Sequence, residues 1–364
     1  MVRLMSDCQA IQAIQPAILL LKFSSLWRSP TPICTTFRRG NVDINQGNMM
    51  SKISVIMAAY NSAPYIERAI LSVQNQTHSD WELIIIDDCS TDFTADLIGE
   101  LSKNDERIIY HRQDKNKGPA AARNRGLSEA SGEWFTILDA DDAFKPDRLK
   151  RMLDAAILND AHFVADNQIF YNFDDGIEAG SVFSVNQKLK TLSFEDLLYS
   201  EYPKQYRLGY MKPLIRRSIL KSHNIRYEED LRYAEDFTLY AEFILTGYKC
   251  ILMPEPLYIY TTQRSKMSGQ SSPASHTVFT PTTKIDIADR LAKKYGSVLT
   301  TSQSAALRKY RNYVKTYAAA HSMSRLKGER RFGRLISSLV INPKGAAMFL
   351  AGQKPFRSMS GLEL

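Results

Sequence analysis

From Ile53 onward the apolar positions alternate between two periods. Ile53 to Ala59 is a mostly apolar run of strand length. Ile66, Ala69, Ile70 and Val73 then recur at i, i+3, i+4 and i+7, which marks one face of a helix; Asn61 and Ser62 offer a cap and Pro64 is tolerated in a first turn. Trp81 to Ile86 reads as a second strand that ends in Asp87-Asp88. Ser90, Thr91 and Asp92 can cap the next helix, whose Phe93, Leu97, Ile98 and Leu101 share a face. A short strand at Ile108 to His111, a polar loop from Asp114 to Gly118 and a small helix from Pro119 to Ala130 follow. Glu133 to Leu138 is a buried strand running directly into Asp139-Ala140-Asp141-Asp142, and Pro146 to about Asn159 is a helix. Repeated β-α units with apolar strands predict a mainly parallel sheet, covered by helices on both faces and linked by right-handed crossovers. Every carboxyl end then lies on one edge. Tyr60-Asn61, Asp87-Asp88 and Asp139 to Asp141 meet there although they are far apart in the chain.

After about Ala161 the pattern loosens. Phe163 to Asp166 and Gln168 to Tyr171 read as short strands, Ser193 to Tyr199 as the start of a helix, and Ser218 to Lys221 as a short helical segment. Glu235-Asp236 opens a helix with a buried stripe of Phe237, Tyr240, Ala241, Phe243 and Ile244. Acids in a first turn complement the helix dipole, which by itself accounts for both. Tyr248 to Pro254 and Leu257 to Thr261 read as strands, and Gln263 to Ser275 as a polar loop. From about Thr283 the chain reads as helical and basic.

Composition changes the picture in three places. Residues 1–48 hold only Asp7 and Asp43 as acids and read as a disordered leader or an over-extended start, since Met49-Met50 closely precede the first strand. No run approaches the roughly 18 consecutive apolar residues needed to span a bilayer. The four cysteines are scattered, which excludes a disulfide framework or zinc-type spacing and fits a cytoplasmic location. The net charge of +8 is concentrated late: from Arg308 to Arg334 the only acid is Glu329. Lys309, Arg311, Lys315, Arg325, Arg330, Arg331 and Arg334 share helices with Leu307, Tyr310, Val314, Tyr317, Leu326, Phe332 and Leu335. That is the pattern of a basic amphipathic segment on an anionic membrane surface. No nucleic-acid-binding motif accompanies the charge.

The acidic cluster at Asp139 to Asp142 carries the most chemical information. Carboxylates crowded at a strand end repel one another unless a cation neutralises them, and oxygen-only ligands suit Mg²⁺ or Mn²⁺, which also hold substrate phosphates. A strand end of an open α/β sheet is where ligands bind. A metal-bound nucleoside diphosphate is a good leaving group, and its transfer needs a separate carboxylate to deprotonate the acceptor. Asp141 can ligate the metal, and Asp139 can accept from a ribose hydroxyl or reach the metal through water. Asp88 can accept from a base NH and Tyr60 can stack on a base. Arg123 and Arg125 lie in a helix that starts close to the same edge and could approach the diphosphate or base, and Arg264 and Lys266 lie in a loop able to close over the diphosphate. No pair of lysines flanks the acidic cluster in sequence to replace a metal.

Four blocks in order, Ile53 to Asn61, Ile85 to Asp92, Gly118 to Gly126 and Leu138 to Asp142, resemble the family-2 inverting glycosyltransferases with a GT-A fold, over about Ile53 to Ser268. The resemblance implies a GT-A domain over residues 49–280. Its nucleotide-sugar half would be 53–160 and its acceptor half 161–280, with a helical basic region at 281–364. Ala58, Tyr60 and Asp88 match the family's nucleoside-binding positions. Asp141 matches the metal-binding aspartate of its DxD motif and Asp139 the ribose-side partner. Glu235-Asp236 falls where the family carries an ED pair, which implies Asp236 as general base. Met211 to Tyr248 resembles bacterial exopolysaccharide enzymes, including the succinoglycan type. The implied reaction is single-sugar transfer from a nucleotide-sugar, with a uridine preference, to a saccharide or lipid-linked saccharide. The implied place is the cytoplasm, with peripheral attachment at the inner face of the membrane. The family often has Gly where this chain has Cys89, which suggests a position tolerant of a small side chain. The QxxRW motif of processive synthases is absent, since Ser265 follows Gln263-Arg264. Two other readings compete: a non-catalytic GT-A component of a polysaccharide assembly complex, and a phosphoacceptor signalling domain. The latter places its acidic pair after the first strand, whereas here a full β-α unit precedes it.

Overall fold

The computed structural model describes residues 51–183, 188–200, 208–231, 233–263 and 281–350. The expected leader at 1–48, and Arg264 and Lys266 in the expected closing loop, lie outside the described residues. Four parallel strands build the first half: β1 (Ile53–Ala59), β2 (Trp81–Asp87), β3 (Ile108–Arg112) and β4 (Trp134–Ile137), in the order β3-β2-β1-β4. Between them run α1 (Ile66–Gln74), α2 (Thr94–Ser102) and α3 (Pro119–Glu129). The pleat of β1 sends Val55, Met57 and Ala59 into one core with Ile66, Ala69, Ile70 and Ile98 of α1 and α2. It sends Ile56 to the opposite core, where Ala120 of α3 lies. Period-two burial on a strand covered on both faces explains why the run is apolar almost throughout. At Gly126 a Cβ would sit 2.4 Å from Ile56 Cγ2, so only glycine lets α3 lie this close to the sheet.

Beyond β4 the sheet becomes mixed. A short β5 (Ala143–Phe144) and α4 (Arg148–Leu158) lead to β6 (Phe163–Asn172). The next elements are β7 (Ile177–Ser181), β8 (Lys190–Thr191), α5 (Phe194–Tyr199), β9 (Leu214–Arg216), α6 (Arg217–Ser222), α7 (Glu235–Ile244) and β10 (Cys250–Gln263). The sheet order continues β4-β9-β6-β10-β5. β6 and β10 are parallel, but β9 is antiparallel to both neighbours, and β5, β7 and β8 also pair antiparallel. The expectation of a mainly parallel sheet therefore holds for the first half and is corrected for the second. Strand periodicity does not encode direction, and β6 and β7 are joined by a turn too short for a parallel crossover. Tyr248 to Pro254 and Leu257 to Thr261 join into the single strand β10. Its pairing with β6 shifts register on either side of Pro256, a residue that cannot donate to the ladder.

Four helices follow: α8 (Pro281–Tyr295), α9 (Thr301–Gly328), α10 (Phe332–Ile341) and α11 (Pro343–Leu350). Leu307, Tyr310 and Val314 of α9 are buried in the same core as Phe237 and Tyr240 of α7. The Tyr310 ring stacks on Phe237 at 5.7 Å between centroids. Tyr317 is buried as well. The apolar stripe expected to face a membrane along α9 thus closes the core over α7. A 3.6-residue stripe states that a face is buried, not what buries it. No helix among the described residues is long and apolar enough to cross a membrane.

Candidate active site

The carboxyl edge of the first four strands is held by hydrogen bonds between loops. After β1, Asn61 adopts a left-handed backbone, with φ 48°, and its Oδ1 accepts from the Thr91 amide at 2.8 Å. The Asn61 amide donates to Ser90 Oγ at 3.0 Å, and the Asp88 amide to the Ala59 carbonyl at 2.8 Å. Cys89, after β2, is also left-handed, with φ 69°. That explains the family's glycine: the position demands a backbone conformation rather than a small side chain.

Ala58 and Tyr60 are half-buried on this rim. Asp88 is buried and its carboxylate accepts from Gln113 Nε2 at 2.8 Å and from the Lys117 and Gly118 amides at 2.7 Å each. It therefore fixes the loop that delivers α3, and a base NH would have to share its oxygens. Gly118 has φ 90° and opens α3, with Pro119 as its first residue. One turn later Arg123 turns inward from α3.

Arg123 and Lys212 tie the two halves of the fold together. The Arg123 guanidinium donates through Nη2 to Asp139 Oδ1 at 2.9 Å, and through Nη1 to Glu235 Oε1 at 2.7 Å and Asp236 Oδ1 at 3.1 Å. Lys212 Nζ reaches Asp236 Oδ2 at 2.6 Å and Asp139 Oδ2 at 3.0 Å. Both cations are about 5% exposed. Burial alone would lower each of them; the facing carboxylates, Asp236 and Asp139 foremost, more than offset this and hold both above their ordinary values. Burial would likewise raise the Asp139 carboxyl, but Lys212 and Arg123 keep it below its ordinary range. The bridged group carries two positive charges, from Arg123 and Lys212, against three negative ones, from Asp139, Glu235 and Asp236.

Asp142, next to this group, is buried and pushed up to about 8, first by burial and then by repulsion from Asp141 and Asp139. Its oxygens accept from Tyr258 Oη at 2.7 Å and the Thr261 amide at 2.8 Å, both on β10. Arg68 of α1 donates to the Asp141 carbonyl at 2.7 Å and lies over the Tyr171 ring. The Asp141 backbone is thereby fixed while its residue remains half-buried at the edge.

The acids and bases expected from sequence mostly converge. Asp139, Asp236 and Arg123 meet directly, with Asp141 two residues along the chain. Arg125 does not join them: its Nη1 donates to the Arg112 carbonyl at the end of β3. Lys212 and the Glu235 contact were missed. Lys212 was visible as one charge inside the apolar run Met211 to Ile215, which must find a partner if that run is buried. The cations that neutralise the acidic cluster are one arginine from α3 and one lysine from the loop before β9. Lys212 is itself positioned: its carbonyl accepts from the Arg148 guanidinium and from Thr136 Oγ1, and Arg148 makes a buried fork to Asp166 with both contacts at 2.9 Å.

Among the described residues no group of three His, Cys, Asp or Glu side chains could close around a metal ion. With Asp139 facing two protein cations, Asp141 is the half-buried carboxylate at this edge that could hold one. A single carboxylate completed by substrate phosphates and water fits Mg²⁺ or Mn²⁺.

Residues 54–222 match the family described as glycosyl transferase family 2. An uncharacterised glycosyltransferase of Haemophilus influenzae is 33% identical over 195 residues, covering 48% of this chain and 77% of that protein. The chain belongs to glycosyltransferase family 2. Succinoglycan biosynthesis protein ExoO of Rhizobium meliloti is 34% identical over 220 residues, 59% of this chain. This glycosyltransferase spans 62% of the length of ExoO, less than two thirds. A crystal structure of S. aureus TarS 1-349 in complex with UDP-GlcNAc superposes with a TM-score of 0.63, at 20% identity over 79% of each chain. That likeness bears on the fold alone. It agrees with the GT-A architecture expected for this family-2 glycosyltransferase and sets aside the signalling-domain alternative.

Proposed function

We propose that this protein transfers one sugar from a nucleotide-sugar, a UDP-hexose in the first instance, to a saccharide or lipid-linked saccharide acceptor during surface polysaccharide synthesis, with inversion at the anomeric carbon. The observation that carries the reading is the double bridge: Arg123 and Lys212 each contact both Asp139 on the donor side and Asp236 on the acceptor side. In the proposed reaction Ala58, Tyr60 and Asp88 line the nucleoside, Asp139 accepts from the ribose, and Arg264 approaches the diphosphate. Asp236 takes the proton of the acceptor hydroxyl as its oxygen bonds to the anomeric carbon. The bond to the diphosphate breaks in the same step and its electron pair leaves with the diphosphate. Asp141 would hold a divalent cation, which would supply neutralisation of the charge that develops there.

Both oxygens of Asp236 are engaged by these cations, so an acceptor hydroxyl would have to compete with them for either one. We assign the diphosphate a second role as the competing partner of Arg123 and Lys212, so that donor binding releases Asp236. The uridine preference draws support from the family resemblance and from TarS, whose structure holds UDP-GlcNAc. The exopolysaccharide assignment draws support from ExoO. Peripheral attachment to a membrane belongs to the same proposal.

The test is release of nucleoside diphosphate from a panel of sugar nucleotides with Mn²⁺ or Mg²⁺, followed by NMR of the product. A β-glycoside from an α-donor is expected. An α-linkage, or no release from any donor with a saccharide acceptor pool present, would overturn the reading; the latter result favours the non-catalytic component. Asp236→Asn should lose about 10²-fold or more in turnover while donor binding is largely kept.

A further inference from the structure

The helices beyond α9 fold back on it with only part of their apolar surface. Met323 of α9, Leu335 of α10 and Ala346 of α11 form a small buried cluster, joined by Leu326, Leu339 and Phe349. The adjoining flank of α10 is exposed among the described residues. Phe332, Ile336 and Val340 recur at i, i+4 and i+8 and are 58%, 63% and 77% exposed. Large apolar side chains in one stripe at that exposure are unusual on a soluble surface and mark an interaction site.

We propose that α10 is a membrane-docking element that lies in the plane of an anionic bilayer. Its Phe332, Ile336 and Val340 enter the acyl boundary while Arg330, Arg331, Arg334 and Lys344 meet the head groups. The charge pattern selects this occupant. From Arg330 to Leu350 there are four basic residues and no Asp or Glu. A second copy docked face to face would bring two sets of Arg330, Arg331 and Arg334 together, which is repulsive. The segment 351–364 carries Lys354 and Arg357 against Glu363 alone, so it offers no complementary charge. An anionic lipid surface offers both an apolar phase and negative charge. Ten residues make a helix of about 15 Å, too short to span a bilayer and suited to lying on one. The contact differs from the one the basic pattern along α9 suggests, because the apolar face of α9 is buried in the protein. It does not depend on which sugar is transferred.

Flotation of the full chain with vesicles of phosphatidylcholine, with and without phosphatidylglycerol, tests the proposal. Binding to the phosphatidylglycerol vesicles at low salt, and its loss at high salt, is expected. Phe332→Ser combined with Ile336→Ser and Val340→Ser should weaken that binding at least tenfold with an unchanged melting curve, since these side chains are exposed. Replacing Arg330, Arg331 and Arg334 by Gln should remove the preference for the anionic lipid. Equal flotation of the wild type and the triple apolar variant would overturn the proposal. So would a wild-type dimer that the triple variant dissociates, or binding that appears only when residues 351–364 are deleted, because either result assigns the face to a different occupant.

Discussion

Lys212 offers the sharpest quantitative test of how the site is held. Its ammonium lies 2.6 Å from Asp236 and 3.0 Å from Asp139, and it is buried. At an effective dielectric near 20, each contact is worth about 6 kcal/mol of gross attraction, most of which offsets the cost of burying the ions. Lys212→Met keeps the side chain's bulk and removes the charge. It leaves Asp139, Glu235 and Asp236 facing Arg123 alone. Removing one partner of a buried pair typically costs about 3–5 kcal/mol, and that is the loss of stability expected at neutral pH. Asp236→Asn removes one of the stranded charges, so the double variant should be less destabilised than the sum of the singles by about 2 kcal/mol or more. Urea unfolding of wild type, both singles and the double, with midpoints and slopes measured on the full chain, gives this coupling directly. If Lys212→Met alone does not accumulate as folded protein, recovery of folded protein by adding Asp236→Asn carries the same information. Effects that add within about 0.5 kcal/mol would refute the double bridge as an energetic unit.

Three further outcomes follow from single residues. Asp141→Ala should abolish turnover and weaken nucleotide binding, and excess EDTA should do the same to the wild type; full activity in EDTA would refute metal dependence through Asp141. Glu82 is buried in a strand; although burial opposes it, hydrogen bonds from Lys52, Ser54 and Ser131 hold its carboxyl down at about 2 against an ordinary 4.5. A depressed folded value contributes stability above pH 4.5 that is lost as pH falls toward 2. Discounted for the exposure of Lys52, that is about 2 kcal/mol, and Glu82→Gln should flatten this acid limb in urea titrations between pH 7 and 3; an unchanged limb would rule it out. Cys89→Gly relieves a left-handed backbone, φ 69°, that costs a non-glycine residue about 1–2 kcal/mol, and after glycine's own entropy loss a net gain of about 0.5–1 kcal/mol in urea unfolding is expected.

The first half of the fold was legible because each of its elements announces itself locally. Ile53 to Ala59 is a continuous apolar run because β1 is covered on both faces, and Ile66, Ala69, Ile70 and Val73 keep helical spacing because only one face of α1 is buried. The second half was less legible because its strands take their direction from partners. β9 is three residues long and lies antiparallel between β4 and β6, and the exposed side chains of β7 carry no periodic signal. The tail shows the same limit in another form. The amphipathic spacing in α9 reads from sequence as a face for an anionic membrane surface, whereas what covers it is α7 and its neighbours.

For the candidate site, sequence singled out acids that the structure places at one edge and left out what holds them. Asp139, Asp141 and Asp236 stand out because acids at strand ends and helix starts are chemically conspicuous. Their cations are not, because a buried ion pair is a relation between distant residues. Arg123 reads from sequence as an arginine that could approach the diphosphate or base, and Lys212 as one charge in an apolar run. Each becomes intelligible only as the partner of carboxylates from two other elements. The general lesson concerns the bases themselves. A carboxylate read as a catalytic base from its position alone carries an unstated assumption that it is available. In this chain both oxygens of Asp236 are occupied by cations that also hold Asp139, so the donor-side and acceptor-side carboxylates share one pair of counterions. In the reaction we propose, deprotonation of the acceptor is linked to arrival of the donor's phosphates, since nothing else proposed for the site brings new negative charge to Arg123 and Lys212. A base freed only in the donor complex would leave acceptor hydroxyls untouched until a sugar is in place to receive them.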